Sequence, residues 1–338
     1  MSIDHELGWT TMALVATVWI GATGCRDHAV SNSPSAVSAG NAASSAVSAV
    51  TPLSSASSAS FWAHWGDGRA EMNGYRLVQP RYGAPRTGSA VYIFVTEDFS
   101  DSVRVKADPG QHPAPDVYPV MKLNAVRHFQ TGIYDYKVMT STFARVASGW
   151  PLAKVSFSSQ EWCGHVYHQI LPRGDKVDGV FHSYFDGEAD GQDNLPQPEG
   201  GVYEDALPIL VRGWGTTYLQ PGESRKVPFL PSLLRARLDH KRLAWGQATI
   251  SRSAATSTVK VPAGSFDASA WTVAEEGGRT LTYQIEAAAP YRLVRWSTDA
   301  GEEGSLLGST RLAYWKLNGP GGEQHLAELG LKPASMLK

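Results

Sequence analysis

From Thr280 to Glu286 the chain alternates without a break, with Leu281, Tyr283 and Ile285 on one side and Thr280, Thr282, Gln284 and Glu286 on the other. A period of two sends successive side chains to opposite faces of an extended strand, whereas the apolar stripe of a helix recurs every three to four residues. A strand with one apolar face needs neighbours along its edges and a cover over that face. The segment therefore commits its surroundings to a sheet with a core on one side. From Leu243 onward similar strands recur between Pro262-Ala263-Gly264-Ser265, Glu276-Gly277-Gly278 and Ala300-Gly301, which supply the backbone freedom that tight turns need. Leu307 to Leu317, with Tyr314 and Trp315 near its end, closes this meander.

The preceding part of the chain follows the same logic. Ser89 to Thr96 is an apolar run of strand length, expected to be buried on both sides. Lys122 to His128 and Ile133 to Phe143 read as a hairpin around Thr131-Gly132, and Val177 to Phe185 as a strand returning across Pro172-Arg173-Gly174-Asp175. Helices are few and short. Phe61 to Trp65 follows a capping Ser60 and stops at Gly66 and Gly68. Glu204 to Trp214 has acids at its start and apolar residues at helical spacing, and Ser232 to Leu238 forms another candidate. The 33 glycines and 20 prolines suit frequent turns, and the 11 tryptophans and 13 tyrosines suit strands. No repeat at a fixed period is visible. The expected fold class is mainly β: a large antiparallel barrel-like or sandwich body with a few short helices.

Upstream of this body the sequence changes character. Met12 to Ala22 is an apolar run of signal-peptide length, and it ends in Ala22-Thr23-Gly24-Cys25. That ending resembles the lipobox of bacterial lipoproteins, which implies a lipidated Cys25, an N-terminal lipid anchor in a membrane and a place in the cell envelope. Arg26 after the cysteine suits the outer membrane, with the body facing the periplasm or the surface. Residues 26–60 are dominated by Ser and Ala and read as a flexible tether. The expected organisation is a leader over 1–25, the tether over 26–60 and one β-rich domain over 61–338, divisible into halves at 61–200 and 201–318. A net charge of -2 offers no cationic field for a polyanion, so nucleic acid is not an expected partner.

Chemistry-bearing residues crowd into Ser158-Ser159-Gln160-Glu161-Trp162-Cys163-Gly164-His165-Val166-Tyr167-His168. The alternating run Lys154 to Ser158 leads into it. A strand continuing without a bulge would carry Glu161, Cys163, His165 and Tyr167 onto the face that holds Val155 and Phe157. A bulge near Ser159 would instead turn Trp162, Gly164 and Val166 inward and leave Glu161 and His165 in water. On a shared face, Cys163 and His165 could serve as nucleophile and base, with Glu161 orienting the ring. The same three side chains could hold zinc if a further histidine such as His128 or His182 completed the site. A buried, inert thiol beside a hydrogen-bonded histidine is the simpler explanation of the same residues. Asp186, Glu188 and Asp190 place oxygen ligands at alternate positions with Gly191 sixth, as in a calcium loop, although the twelfth position is Gln197. A solvated acidic turn is the alternative. Trp162, Tyr167, Tyr134 and Tyr136 are candidate ligand-binding aromatics, and Trp271, Tyr283 and Trp296 join them either as core or as the lining of a cavity.

The segments Tyr75 to Gly83, Ile93 to Ser100, Thr131 to Thr140 and above all Glu161-Trp162-Cys163-Gly164-His165 resemble those of an uncharacterised family of bacterial envelope lipoproteins, some of whose members carry the label septum formation inhibitor Maf. Maf proteins are cytosolic α/β pyrophosphatases, so that label does not suit an exported β-rich chain. Val259 to Ala268, with the following tyrosine strands, is similar to periplasmic β domains of unassigned function and more remotely resembles the open β-barrels of lipoprotein-localisation carriers, a likeness that implies architecture only.

Together these features lead to the expectation of an exported, lipid-anchored envelope protein that binds an apolar or amphipathic ligand, such as a lipid, or an envelope partner. An envelope hydrolase or transferase using Cys163 and His165, and a purely structural envelope protein, are the alternatives. The leading reading requires Glu161 to face the interior.

Overall fold

A computed structural model describes residues 50–214 and 218–333; the expected leader, Cys25 and the Ser/Ala-rich stretch up to residue 49 lie outside the described residues. The molecule is mainly β, built on one fifteen-stranded sheet that the chain enters in the middle. From β1 (Ala70–Arg81) it meanders outward through β2 (Ala84–Ser100), β3 (Val117–Thr131), β4 (Tyr134–Arg145), β5 (Leu152–Glu161), β6 (Gly164–Arg173), β7 (Lys176–Ser183) and β8 (Asp190–Pro196) to one edge. It resumes at the opposite edge with β9 (Val202–Tyr203), which runs parallel to β10 (Ser224–Leu230). The chain then returns through β11 (Gly246–Val261), β12 (Gly264–Glu275), β13 (Thr280–Glu286), β14 (Leu293–Thr298) and β15 (Glu303–Leu312), and β15 pairs antiparallel with β1.

This order forces curvature. β8 and β9 are the two edges of the sheet, yet only residues 197–201 separate them. Six residue steps span at most about 20 Å, so the sheet must curl until its edges approach. No ladder joins them, and the sheet is not closed into a barrel.

Curling gives every strand an inner face, and the sequence periodicity fills it. In β13, Leu281, Tyr283 and Ile285 are buried as the alternation requires. Inward positions on β1, β2 and β14 bring the rings of Tyr75, Tyr92 and Trp296 within 5.2 Å of one another, centroid to centroid. Trp296 lies across Gly304 of β15, where a β-carbon would come within 2.1 Å of the indole; glycine is needed there for lack of room. In β2 the inward residues Ala90, Tyr92 and Phe94 are buried, whereas Val91 and Ile93 are only partly covered, so the Ser89 to Thr96 run is not buried on both sides as expected.

The helices fill and cap the curl. α1 (Ser55–Trp65) starts earlier than expected because Ser54, not Ser60, caps it, accepting the Ser57 amide; the Ser/Ala run is therefore helical from Ser55 onward. Its Phe61 and Trp65 are buried against Trp150 and Trp214 at the end of the sheet where β1 begins. The expected helix over Glu204 to Trp214 is a turn of 3-10 helix, Glu204–Ala206, followed by one turn of α-helix, α2 (Leu207–Leu210), buried throughout except for a partly covered Asp205. α3 (Leu233–Asp239), capped by Ser232, occupies the inner space at the opposite end, near the close of β1. β15 ends at Leu312, before the expected Leu317, and Tyr314–Lys316 is a 3-10 turn.

The expected single strand from Lys154 through His168 is two strands. β5 ends at Glu161, Trp162 and Cys163 form a two-residue turn, and Gly164 starts β6 opposite Glu161. Both alternatives read from the sequence are thereby corrected. Glu161 stays on the inner face with Val155 and Phe157, the turn resets the register, and Val166 and His168 face inward while His165 and Tyr167 face out.

Candidate functional site

The hairpin disperses the expected Glu161, Cys163 and His165 constellation. Glu161 is buried, Cys163 is an exposed free thiol in the turn, and His165 sits on the outer face. They do not form a nucleophile, base and orienting group, nor a zinc site, and no metal-holding group of three or more His, Cys, Asp or Glu occurs among the described residues. His128 instead pairs with Asp135 and His182 with Asp190. The expected calcium loop is overturned for a similar reason: β8 runs through Asp190 and on to Pro196, while Glu188 binds Ser183 and His240. Of the candidate aromatics, Tyr134 and Tyr136 lie on the inner face of β4, Trp162 is exposed on its turn and Tyr167 is on the outer surface. His165 and Tyr167 line an open depression there with Gln160, His182 and Tyr184.

What fills the inner face beside Glu161 is α3. Arg237 of α3 donates to the Glu161 carboxylate at 2.5 Å, both side chains being almost wholly buried. The same helix is held by other polar contacts. Arg235 reaches both oxygens of Glu275 on β12, Arg81 at the end of β1 donates to the Leu238 carbonyl at 2.7 Å, and the Ser232 amide and hydroxyl donate to Glu204. Such pairs fix one seating of a short helix inside a sheet, because a shifted helix would leave charges buried without partners.

A cleft of about 400 Å³ remains where α3 meets the sheet. It is lined by Gln79, Arg81, Tyr82, Arg127, Glu204, Arg235, Arg279 and Glu302 together with Leu234 and Leu238. Arg127, inward on β3 between Ala125 and Phe129, donates to Glu302 at 2.7 Å and to the Tyr92 hydroxyl at 2.8 Å. Arg279 pairs with Glu204. Burial alone would raise the Glu302 carboxyl, but Arg127 and Arg279 outweigh it and hold it below the ordinary range.

Behind this cleft, sharing Arg127, Glu204, Ser232 and Leu234 with it, lies a cavity of about 40 Å³ bounded by Tyr92, Thr140, Asp205 and Tyr283. Asp205 accepts one bond, from the Leu233 amide at 3.0 Å, and no basic side chain pairs with it among the described residues. Burial raises its carboxyl to about 7, the Glu204 charge adds to the rise, and the Leu233 amide and the charges of Arg127 and Arg279 oppose it. Burial raises Glu204 as well. The carboxyl thus sits at the edge of ionisation beside a small cavity, where it can give or take a hydrogen bond.

At the mouth the imbalance is reversed. Arg81 spends its donors on the Leu238 carbonyl and the Tyr136 and Tyr82 hydroxyls and lies 4.4 Å over the Tyr82 ring, without a carboxylate partner among the described residues. Sequence reasoning missed these residues. The visible signals were Glu204-Asp205 at a helix start and Arg127 at inward parity in an otherwise apolar strand, but the partners that give them meaning are up to 175 positions away. No known family, curated protein or solved structure matches the chain.

Proposed function

We propose that this protein is a non-catalytic binding protein of the cell envelope, held by a lipid on Cys25, and that the cleft under α3 takes the head of an amphipathic small molecule. The carrying observation is the pair of uncompensated groups: the Asp205 carboxyl beside the inner cavity and the Arg81 guanidinium at the mouth. A head with an amine or hydroxyl directed inward and a phosphate or carboxylate directed outward would satisfy both. An ammonium beside Asp205 favours the ionised carboxylate, and a phosphate suits the planar fork of arginine. Leu234, Leu238 and Tyr82 offer apolar contact to the part of the ligand nearest the head. The cysteine-based alternative has no geometric support, since Cys163 lacks a base and a cavity.

The test is calorimetric titration of the full chain, carrying Cys25→Ser so that it remains unlipidated, with lysophosphatidylethanolamine below its micellar concentration. Saturable one-to-one binding is expected, weakened at least tenfold by Asp205→Asn and by Arg81→Gln. Lysophosphatidylglycerol, which keeps the phosphate and lacks the amine, should lose the dependence on Asp205. No saturable binding, or equal affinity in all variants, overturns the reading.

A further inference from the structure

In an antiparallel meander every second turn falls at the same end of the sheet. The turns joining β1 to β2, β3 to β4, β5 to β6 and β7 to β8 therefore form one rim, and each carries a large, exposed apolar or aromatic side chain. Tyr82 is 56% exposed, Ile133 81%, Trp162 69% and Tyr184 74%. Turn tips ordinarily take small or polar residues. Tyr82 even occupies a left-handed position, with φ of 54° followed by Gly83 at 70°, where Asn or Gly would be cheaper. Neighbouring hairpins are offset by two strands, about 10 Å, so the four tips form a row roughly 30 Å long.

We infer that this rim docks on the interfacial layer of a lipid bilayer. A single row of turn tips, backed only by the strand-end aromatics Tyr134 and Tyr136, is too narrow to make the packed core that a protein partner would need. Tyrosine and tryptophan, with an apolar body and a polar edge, fit the headgroup level of a bilayer. Flanking charges are of both signs, with Arg86, Lys137 and His165 against Asp135 and Asp186, so attraction to a zwitterionic surface does not depend on a cationic field.

The rim is also where the cleft opens, and Tyr82 belongs to both. Resting on the proposed binding function, the docked orientation would present the cleft mouth to a membrane amphiphile. The proposed anchor permits it. β1 is about 40 Å long at strand rise, and the 26 residue steps from Cys25 to Thr51, whose carbonyl accepts from the Ser148 amide, can span up to about 90 Å, so a body tethered from the α1 end can lay its far rim on the same bilayer.

Cys163 supplies the probe, because it lies beside Trp162 on one of the four tips and is the one cysteine left in the full Cys25→Ser chain. Labelled there with a polarity-sensitive fluorophore and mixed with extruded phosphatidylcholine vesicles, the chain should show a blue-shifted, stronger emission, quenched by shallow spin-labelled lipid. Ile133→Ser with Trp162→Ser, both in exposed turns, should reduce vesicle partitioning at least tenfold. Unchanged emission on vesicles, or partitioning equal in the double variant, overturns the inference. Vesicle binding that persists while lysophosphatidylethanolamine binding is absent retains the rim and rejects the ligand reading, so the two failures are separable.

Discussion

Replacing Glu161 by Leu tests how α3 is held. The substitution removes the carboxylate that accepts from Arg237 at 2.5 Å and leaves the guanidinium 2% exposed, over the Phe185 ring at 3.8 Å and near the His240 imidazole. Arginine cannot shed its charge, so removing its partner falls in the range of about 3 to 5 kcal/mol expected for breaking a buried pair. The Arg237 charge also acts on Glu188, whose carboxylate would recover part of the loss, which favours about 3. Arg237→Leu strands the buried Glu161 carboxylate and should likewise be destabilising. The double variant replaces the pair by apolar volume and should lie within about 1 kcal/mol of the parent. Urea unfolding of the full Cys25→Ser chain, followed by circular dichroism, measures all four corners of the cycle. Additive losses, or a Glu161→Leu chain as stable as the parent, would refute the assignment of this pair as the fastening of α3.

Three further outcomes follow from the same packing. Asp205, raised to about 7 from an ordinary 3.8, binds its proton more tightly folded than unfolded, so its contribution to stability declines as pH rises from about 4 to 7. Asp205→Asn should therefore stabilise the protein at pH 8, by up to about 4 kcal/mol, and change little at pH 4; a destabilised variant at pH 8 in urea titrations would reject the assigned shift. Gly304→Ala would drive a methyl group into the Trp296 ring and should cost about 1 to 3 kcal/mol, with loss of near-ultraviolet circular dichroism from the Tyr75, Tyr92 and Trp296 cluster; an unchanged spectrum and midpoint would show that the indole can move aside. In the Cys25→Ser chain, Cys163 should be fully alkylated by iodoacetamide at the rate of a simple thiol with the unfolding midpoint unchanged, whereas a rate a hundredfold faster would point to an activated nucleophile.

The strands were legible because their evidence is local. A seven-residue alternation in β13 and the Thr131-Gly132 turn between β3 and β4 carry their own periodicity and turn chemistry. The β5–β6 hairpin was not legible, and the reason is physical. Trp162 and Cys163 have none of the usual turn composition, and a two-residue turn leaves the alternation visually intact while exchanging the faces of everything after it. That one unread turn brought Cys163 and His165 onto the wrong face and created the apparent nucleophile and metal sites.

The inner charges were illegible for a different reason. Arg127, Glu161 and Glu275 each interrupt an apolar face, which in isolation argues for a solvated strand or an active site. Their partners come from segments elsewhere in the chain: Arg235 and Arg237 on α3 and Glu302 at the β14–β15 turn, while Arg279 at the β12–β13 turn pairs with both Glu204 and Glu302. A helix as short as α3 has little stability of its own. Its arginines gain a fixed position from the sheet, and the sheet's carboxylates gain counter-ions from the helix. The residues outside this mutual compensation, Asp205 within and Arg81 at the mouth, are accordingly where a bound molecule would contribute what the chain itself does not, and the row of exposed tips beside Arg81 gives that molecule a direction of approach.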